Sequence, residues 1–160
     1  MNYKNIIYSL ACLSFSIVIG AGMYEHVAAV PRWSAAPPSS LTMFQGQYGL
    51  YPEPFWIGVH PIALVLLIIT LILAWKTSRR INVIATIVGY IAVLAITRVY
   101  FVPELLDIIN TPVSANADTA LTERAKQWEM LSLARMAFMM ILSIILFLGL
   151  TKGNDRGYRS

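Results

Sequence analysis

Four apolar runs divide the chain. Asn5 to Tyr24, Phe55 to Trp75, Ile81 to Val102 and Trp128 to Leu150 each hold on the order of 20 residues, enough helix to cross a bilayer. Lys76, Arg79 and Arg80 fill a very short turn between the second and third runs, and two longer polar connections, 25–55 and 103–127, join the other pairs. The pattern predicts an all-α fold: an integral membrane up-down-up-down four-helix bundle with short interfacial helices in the two long connections. Residues 1–160 form a single four-span membrane domain, with spans at about 5–24, 55–75, 81–102 and 128–150. No repeat, low-complexity tract or soluble linker domain is evident. The first run is long for a signal peptide and ends in Tyr24, Glu25 and His26 instead of a small-residue cleavage site.

In the first connection, Pro31, Pro37 and Pro38 are expected to prevent one continuous helix. Ser39 or Ser40 is placed to cap a short amphipathic segment, Leu41 to Tyr48, that Gly49 would stop. Trp33, Tyr48, Tyr51, Phe55 and Trp56 read as an interfacial aromatic belt, with a lid over a substrate entrance as the alternative. In the second connection, Pro103 opens the turn, Glu104 to Ile109 suits a short interfacial helix, and Thr119 to Gln127 leads helically into the fourth span.

Composition agrees with the membrane class: 58% hydrophobic and 12% charged, against about 25% charged in a soluble domain. Mean hydropathy is +0.65. The net charge of +4 does not indicate a nucleic-acid partner, because the basic residues form no aromatic-interleaved face. They collect on one side of the bundle: Lys4, Lys76, Arg79, Arg80, Lys152, Arg156 and Arg159, with only Asp155 against them. The other side carries Glu25, Glu53, Glu104, Asp107, Asp118, Glu123 and Glu129, with Arg32, Arg124 and Lys126. By the positive-inside rule this predicts a multi-pass protein of the inner (cytoplasmic) membrane with both termini cytoplasmic. The single cysteine, Cys12, makes neither an intrachain disulfide nor a CxxC redox pair.

Ionisable residues inside the runs carry the candidate chemistry. A guanidinium in a spanning helix costs about 2.5–3.5 kcal/mol at mid-bilayer, so Arg135 needs an acid, backbone carbonyls or a polar cavity. Glu25 and His26 end the first span, His60 lies just inside the second, Arg98 nears the end of the third, and Glu129 and Arg135 open the fourth. All four spans thus place polar groups in the outer third, and the inner two-thirds almost none. Trp128, Ser132, Arg135 and Met139 share one stripe, Trp56 and His60 another, and Tyr100 stands near Arg98. Facing inward, these residues make a small outward-opening pocket. His60, Arg135, His26 and Glu25 are the candidate catalytic residues, and Arg98, Glu129, Trp128, Ser132, Trp56 and Tyr100 the candidate substrate contacts.

Plainer readings stand beside these. Arg98 and Arg135 can pair with Glu25, Glu104 or Glu129 to lock the bundle, His60 can bond a carbonyl freed by Pro61, and Trp128 can anchor at the interface. The methionines, Met43, Met136, Met139 and Met140, read as packing. A di-iron carboxylate bundle is excluded, because neither histidine lies three residues after a glutamate. A single metal held by His26, His60 and a carboxylate, or a bis-histidine haem between the first two spans, stays open. The cofactor is unknown and none is expected.

The proline-containing end of the first span, GAGMYEHVAAVPRW, and the opening of the fourth, WEMLSLAR, resemble a family of small four-helix membrane proteins. It includes the fungal anthrone oxygenases and is a domain of unknown function in bacteria. The resemblance covers most of the chain. SLTMFQGQYGLYPEPFW and VPELL look more like a bacterial subgroup with no assigned activity. It implies an oxidoreductase that converts a phenolic anthrone to an anthraquinone without a classical cofactor. His60 or His26 would remove a proton from an activated CH, and Arg135 or Arg98 would stabilise the resulting anion. The expected function is therefore a small-molecule-binding membrane protein, with the lipid bilayer and a small lipophilic molecule as partners. The competing classes are a small transporter or envelope-complex subunit and a haem- or metal-binding membrane protein. Oligomeric state stays open, a homo-oligomer included.

Overall fold

The computed structural model describes residues 3–153. Asp155, Arg156 and Arg159, used above for orientation, lie outside the described residues. Among the described residues every regular element is helical. Four helices are long and apolar enough to cross a membrane: α1 (Tyr3–Trp33), α2 (Glu53–Ala74), α3 (Arg80–Ile109) and α4 (Thr119–Leu148). A 3-10 turn, Ser39–Phe44, lies between α1 and α2. α1 packs on α2 and α4, and α3 packs on α4 and α2, so the pairs α1/α3 and α2/α4 sit diagonally.

Three of the four helices outrun their apolar stretches, and prolines are the reason the sequence hid this in α1 and α3. Pro31 and Pro103 were expected to end helices, yet both are passed within one. A helical proline removes a backbone donor and its ring crowds the preceding turn. Here the turn before each proline is widened by one residue into a π-helical segment, Glu25–Ala29 in α1 and Thr97–Phe101 in α3. Val30 N–H reaches back to the Glu25 carbonyl and Val102 N–H to the Thr97 carbonyl. The wider turn makes room for the ring and the helix resumes. Glu104 to Ile109 is therefore the end of α3 and no separate interfacial helix. The fourth helix does start at Thr119, where the Asp118 side chain accepts from Leu121 N–H at 2.9 Å as an N-cap.

The connection after α1 also differs from expectation. Ser39 and Ser40 do not cap a helix. Ser40 Oγ donates to the Trp33 carbonyl at 2.6 Å and Ser39 Oγ to the Ala36 carbonyl at 2.6 Å, which stitches the proline-rich turn to the end of α1. Gly46, not Gly49, takes the left-handed conformation, with φ +83°. Trp33 is only 2% exposed and belongs to a buried cluster with Leu41, Phe101, Ile108 and Trp128. It is core and no part of an aromatic belt; Tyr48, Tyr51 and Phe55 are the exposed members. The Tyr51 hydroxyl donates to Glu53 Oε2 at 2.8 Å, and that bond, followed by repulsion from the carboxylate charge, raises the phenol's pKa.

One regularity escaped the sequence reading. Glu25–Ala29 and Thr97–Phe101, Pro31 and Pro103, and Trp56 and Trp128 are each separated by 72 positions. The same offset maps the buried positions Ala63, Leu67, Thr70 and Ala74 of α2 onto Arg135, Met139, Leu142 and Leu146 of α4, where all but Arg135 are again buried. The two helix pairs thus repeat the same order of widened turn, proline, tryptophan and buried positions at one offset. Few residues are identical between them, which is why no repeat shows in the sequence.

The bundle has two chemically distinct ends. All acids among the described residues lie at one end, near the α1–α2 and α3–α4 connections. At the other, Arg79 is buried, with Nη1 on Asn5 Oδ1 at 2.6 Å, Nε on the Lys152 carbonyl at 2.8 Å and the guanidinium beside the Tyr8 ring. Asn82 and Thr86 add bonds to the carbonyls of Ile145 and Leu142, and Lys152 Nζ donates to Asn82 Oδ1. The sequence suggested that this part of the bundle is dry; the basic end instead carries its own polar network. Phe15, Leu67 and Met139 pack the middle between the two polar layers.

Packing of α3 on α4 is tight at Gly89, where a Cβ would stand 2.7 Å from the buried Leu142 side chain. Gly89→Leu is expected to lower stability in detergent by about 1–3 kcal/mol, overpacking outweighing the gain in helix propensity. Gly58→Leu, at a helical glycine with nothing within 4 Å, is the control and should not lower the thermal midpoint.

Candidate functional site

The polar residues at the acidic end form two ladders. The first begins at Glu25, on the widened turn of α1. Its Oε1 accepts from the Trp56 indole N–H of α2 at 3.0 Å. Trp56 stacks on His60, one turn on, with ring centroids 5.2 Å apart and planes at 21°. His60 Nδ1 lies 2.7 Å from the Tyr90 hydroxyl of α3, whose ring meets Phe15 edge-on. Glu25, Trp56, His60 and Tyr90 thus link three helices.

The second ladder holds the guanidinium. Arg135 of α4 donates through Nη1 to Thr97 Oγ1 at 2.9 Å and through Nη2 to Ser132 Oγ at 2.8 Å. Its carbon lies 4.1 Å from the centre of the Phe101 ring. The Trp128 indole in turn donates to the Phe101 carbonyl at 2.9 Å, which fixes the ring under the cation. Arg135 makes no ion pair among the described residues. The three acids proposed as its partners are engaged elsewhere: Glu25 with Trp56, Glu104 with Arg124 at 2.8 Å, and Glu129 with Ser34 at 2.7 Å.

The offset of 72 pairs Glu25 with Thr97, Trp56 with Trp128 and His60 with Ser132. The layer is therefore built from equivalent places in the two units. One unit supplies an acid and an imidazole, and the other supplies hydroxyls and a guanidinium.

Several atoms of the layer have no hydrogen-bond partner among the described residues: Glu25 Oε2, His60 Nε2 and Arg135 Nε. None of them is sealed in. The single buried side-chain N or O lacking a partner among the described residues is His26 Nε2. His26 turns away from His60: Nδ1 donates to the Gly22 carbonyl at 2.9 Å and the ring stacks on Trp128 at 6.5 Å. Because a carbonyl only accepts, Nδ1 carries a proton, which in the neutral ring leaves the lone pair on Nε2.

Of the residues expected at the site, Glu25, Trp56 and His60 meet in the first ladder, and Ser132 and Arg135 meet in the second. Trp128 and Tyr100 do not line the layer directly; Trp128 is buried in the Trp33 cluster and Tyr100 packs against it. Glu129 is held at the Trp33–Ser34 end. Arg98 is exposed and has no side-chain partner among the described residues. A regular helix would carry Arg98 on the Leu94–Val102 face. That face is not the inward one: Tyr90, Val93 and Thr97 keep the regular inward spacing, and Arg98, one position on, is turned about 100° away from it. Tyr90, Thr97 and Phe101 were missed as site residues. A polar tip within an apolar run was the available signal for Tyr90; Phe101 had none. No three His, Cys, Asp or Glu side chains assemble as a metal-holding group among the described residues, so the His26–His60–carboxylate set is not formed. No protein-family model, curated protein or solved structure matches this chain.

Proposed function

We propose that this protein is a multi-pass membrane bundle of up-down-up-down topology that binds a lipophilic, weakly acidic aromatic molecule at the Glu25–His60–Arg135 layer. The observation that carries the reading is the state of Arg135: a cation held by two neutral hydroxyls and an aromatic face, with no carboxylate in contact. A charge so placed is costly for folding alone and well suited to a phenolate or enolate. Membrane insertion is supported by the four apolar helices, and the topology by contacts of Glu25 with Trp56, Glu104 with Arg124 and Arg79 with Asn5 and Lys152. The basic end faces the cytoplasm in this reading, by the positive-inside rule.

The family resemblance adds the chemistry. With Nδ1 donating to Tyr90, His60 Nε2 is an open base that takes a proton from the activated CH2 of an anthrone. Arg135 stabilises the oxygen of the resulting enolate. The carbanion adds dioxygen, and the hydroperoxide loses water to leave the ketone. One oxygen atom enters the product and the other leaves as water, so the four electrons lost by carbon reduce O2. The test is purified protein in detergent, titrated with an anthrone under air and followed by quinone absorbance and oxygen uptake. Saturable binding with turnover, and binding without turnover in His60→Gln, is expected. Absence of saturable binding rejects the site; binding with equal turnover in His60→Gln rejects its chemistry.

A further inference from the structure

A second feature lies on the outside of the bundle, toward the basic end. A groove of about 480 Å3 runs along the seam of α1 and α4. Ile19 forms one wall, Met140, Ile144, Phe147 and Leu148 the other, and Thr151 stands at its mouth. From Met140 to Thr151 the groove extends about 16 Å at helical rise. Its surface is almost wholly apolar, and bulky side chains line it in place of the small-residue stripe that paired membrane helices use, Ser143 apart.

Its mouth opens where the basic residues gather. Arg79 joins the start of α1 to the segment after α4 through Asn5 and the Lys152 carbonyl, so both walls of the seam end at this knot. Lys4 adjoins Asn5, Arg80 adjoins Arg79, Lys76 lies in the same turn and Lys152 supplies the carbonyl, and no acid among the described residues lies at this end. An apolar channel one chain wide, ending in a field of one sign, is complementary to a single kind of occupant.

We propose that the α1–α4 seam holds one anionic phospholipid, its acyl chain in the Ile19–Phe147 groove and its phosphate at Thr151 among the basic side chains. A neutral lipid gains the groove and not the field. A helix of a second copy gains neither the fit nor the charge match. The lipid lies at the opposite end from the Arg135 layer and contributes nothing to it. The proposal rests on the chain being embedded in a bilayer, which membrane fractionation checks separately.

Native mass spectrometry of the protein released from detergent tests it, with phosphatidylglycerol and phosphatidylcholine of identical acyl chains supplied in equal amounts. One phosphatidylglycerol adduct should persist, at least tenfold more abundant than the phosphatidylcholine adduct. Ile144→Trp, which fills the groove, should remove it, while Ile141→Trp, an exposed position not lining the groove, should keep it. The Arg80→Gln, Lys152→Gln double variant should erase the preference for phosphatidylglycerol. Equal retention of the two lipids by the unaltered protein, or an adduct that survives Ile144→Trp, overturns the proposal.

Discussion

Arg135→Met protein should fold and yet bind the aromatic ligand roughly tenfold to a hundredfold more weakly. The loss corresponds to a charge-assisted hydrogen bond worth about 1.5–3 kcal/mol. The same substitution should leave thermal stability in detergent unchanged or raise it. The guanidinium has no carboxylate to strand when it goes, and what it leaves are two hydroxyls, Thr97 Oγ1 and Ser132 Oγ. Thr97 retains its bond to the Val93 carbonyl. Removing a half-buried charge that no carboxylate offsets relieves desolvation. Stability gained while binding is lost is the signature of a group kept for function. Arg135→Lys should recover part of the binding, because an ammonium keeps the charge and loses the planar fork. Collapse of Arg135→Met protein, with a large fall in the unfolding midpoint, would instead make the residue a structural brace.

The opposite outcome is expected at the other end. Arg79→Ala should lower stability by about 3 kcal/mol or more, without altering ligand affinity in the protein that remains folded. Arg79 is 6% exposed and ties Asn5 of α1 and the Lys152 carbonyl to the turn between α2 and α3. Its loss leaves Asn5 Oδ1 and that carbonyl unsatisfied and removes the cation from the Tyr8 ring. Unfolding in a denaturing-detergent titration measures the first part, and ligand titration below the midpoint the second. Two arginines in one small bundle are thus expected to answer oppositely, because one is fully engaged by its own chain and the other is not.

How much of this could be read from residues depends on what the helix does between them. The apolar runs follow from composition and rise per residue alone and hold as four helices long and apolar enough to cross a membrane, and Glu25 and His60 both meet Trp56. Facing directions hold on α2 and α4. Trp56 and His60 share a face of α2 as counted, and Ser132 meets Arg135 on α4. On α3 the inward place belongs to Thr97, seven residues after the buried Tyr90, and Arg98, counted from Leu94, falls on a face that points outward. Trp33 shows another limit. Its burial depends on a connection that folds back through Ser40 and Leu41, which no local periodicity reports. The network of Arg79, Asn82 and Lys152 was hidden because those residues also fit a solvated basic turn.

The matching of the two halves has a chemical implication. A homodimer of a single two-helix unit would have to place identical groups on both sides of its axis, either two acids or two guanidiniums facing each other. Joining two diverged copies in one chain lifts that constraint. His60 and Glu25 can then lie across from Ser132 and Thr97, so a proton acceptor and an anion stabiliser meet the same molecule from different sides. A site with unlike groups on its two sides becomes available to helix pairs that share one spacing of widened turn, proline and tryptophan.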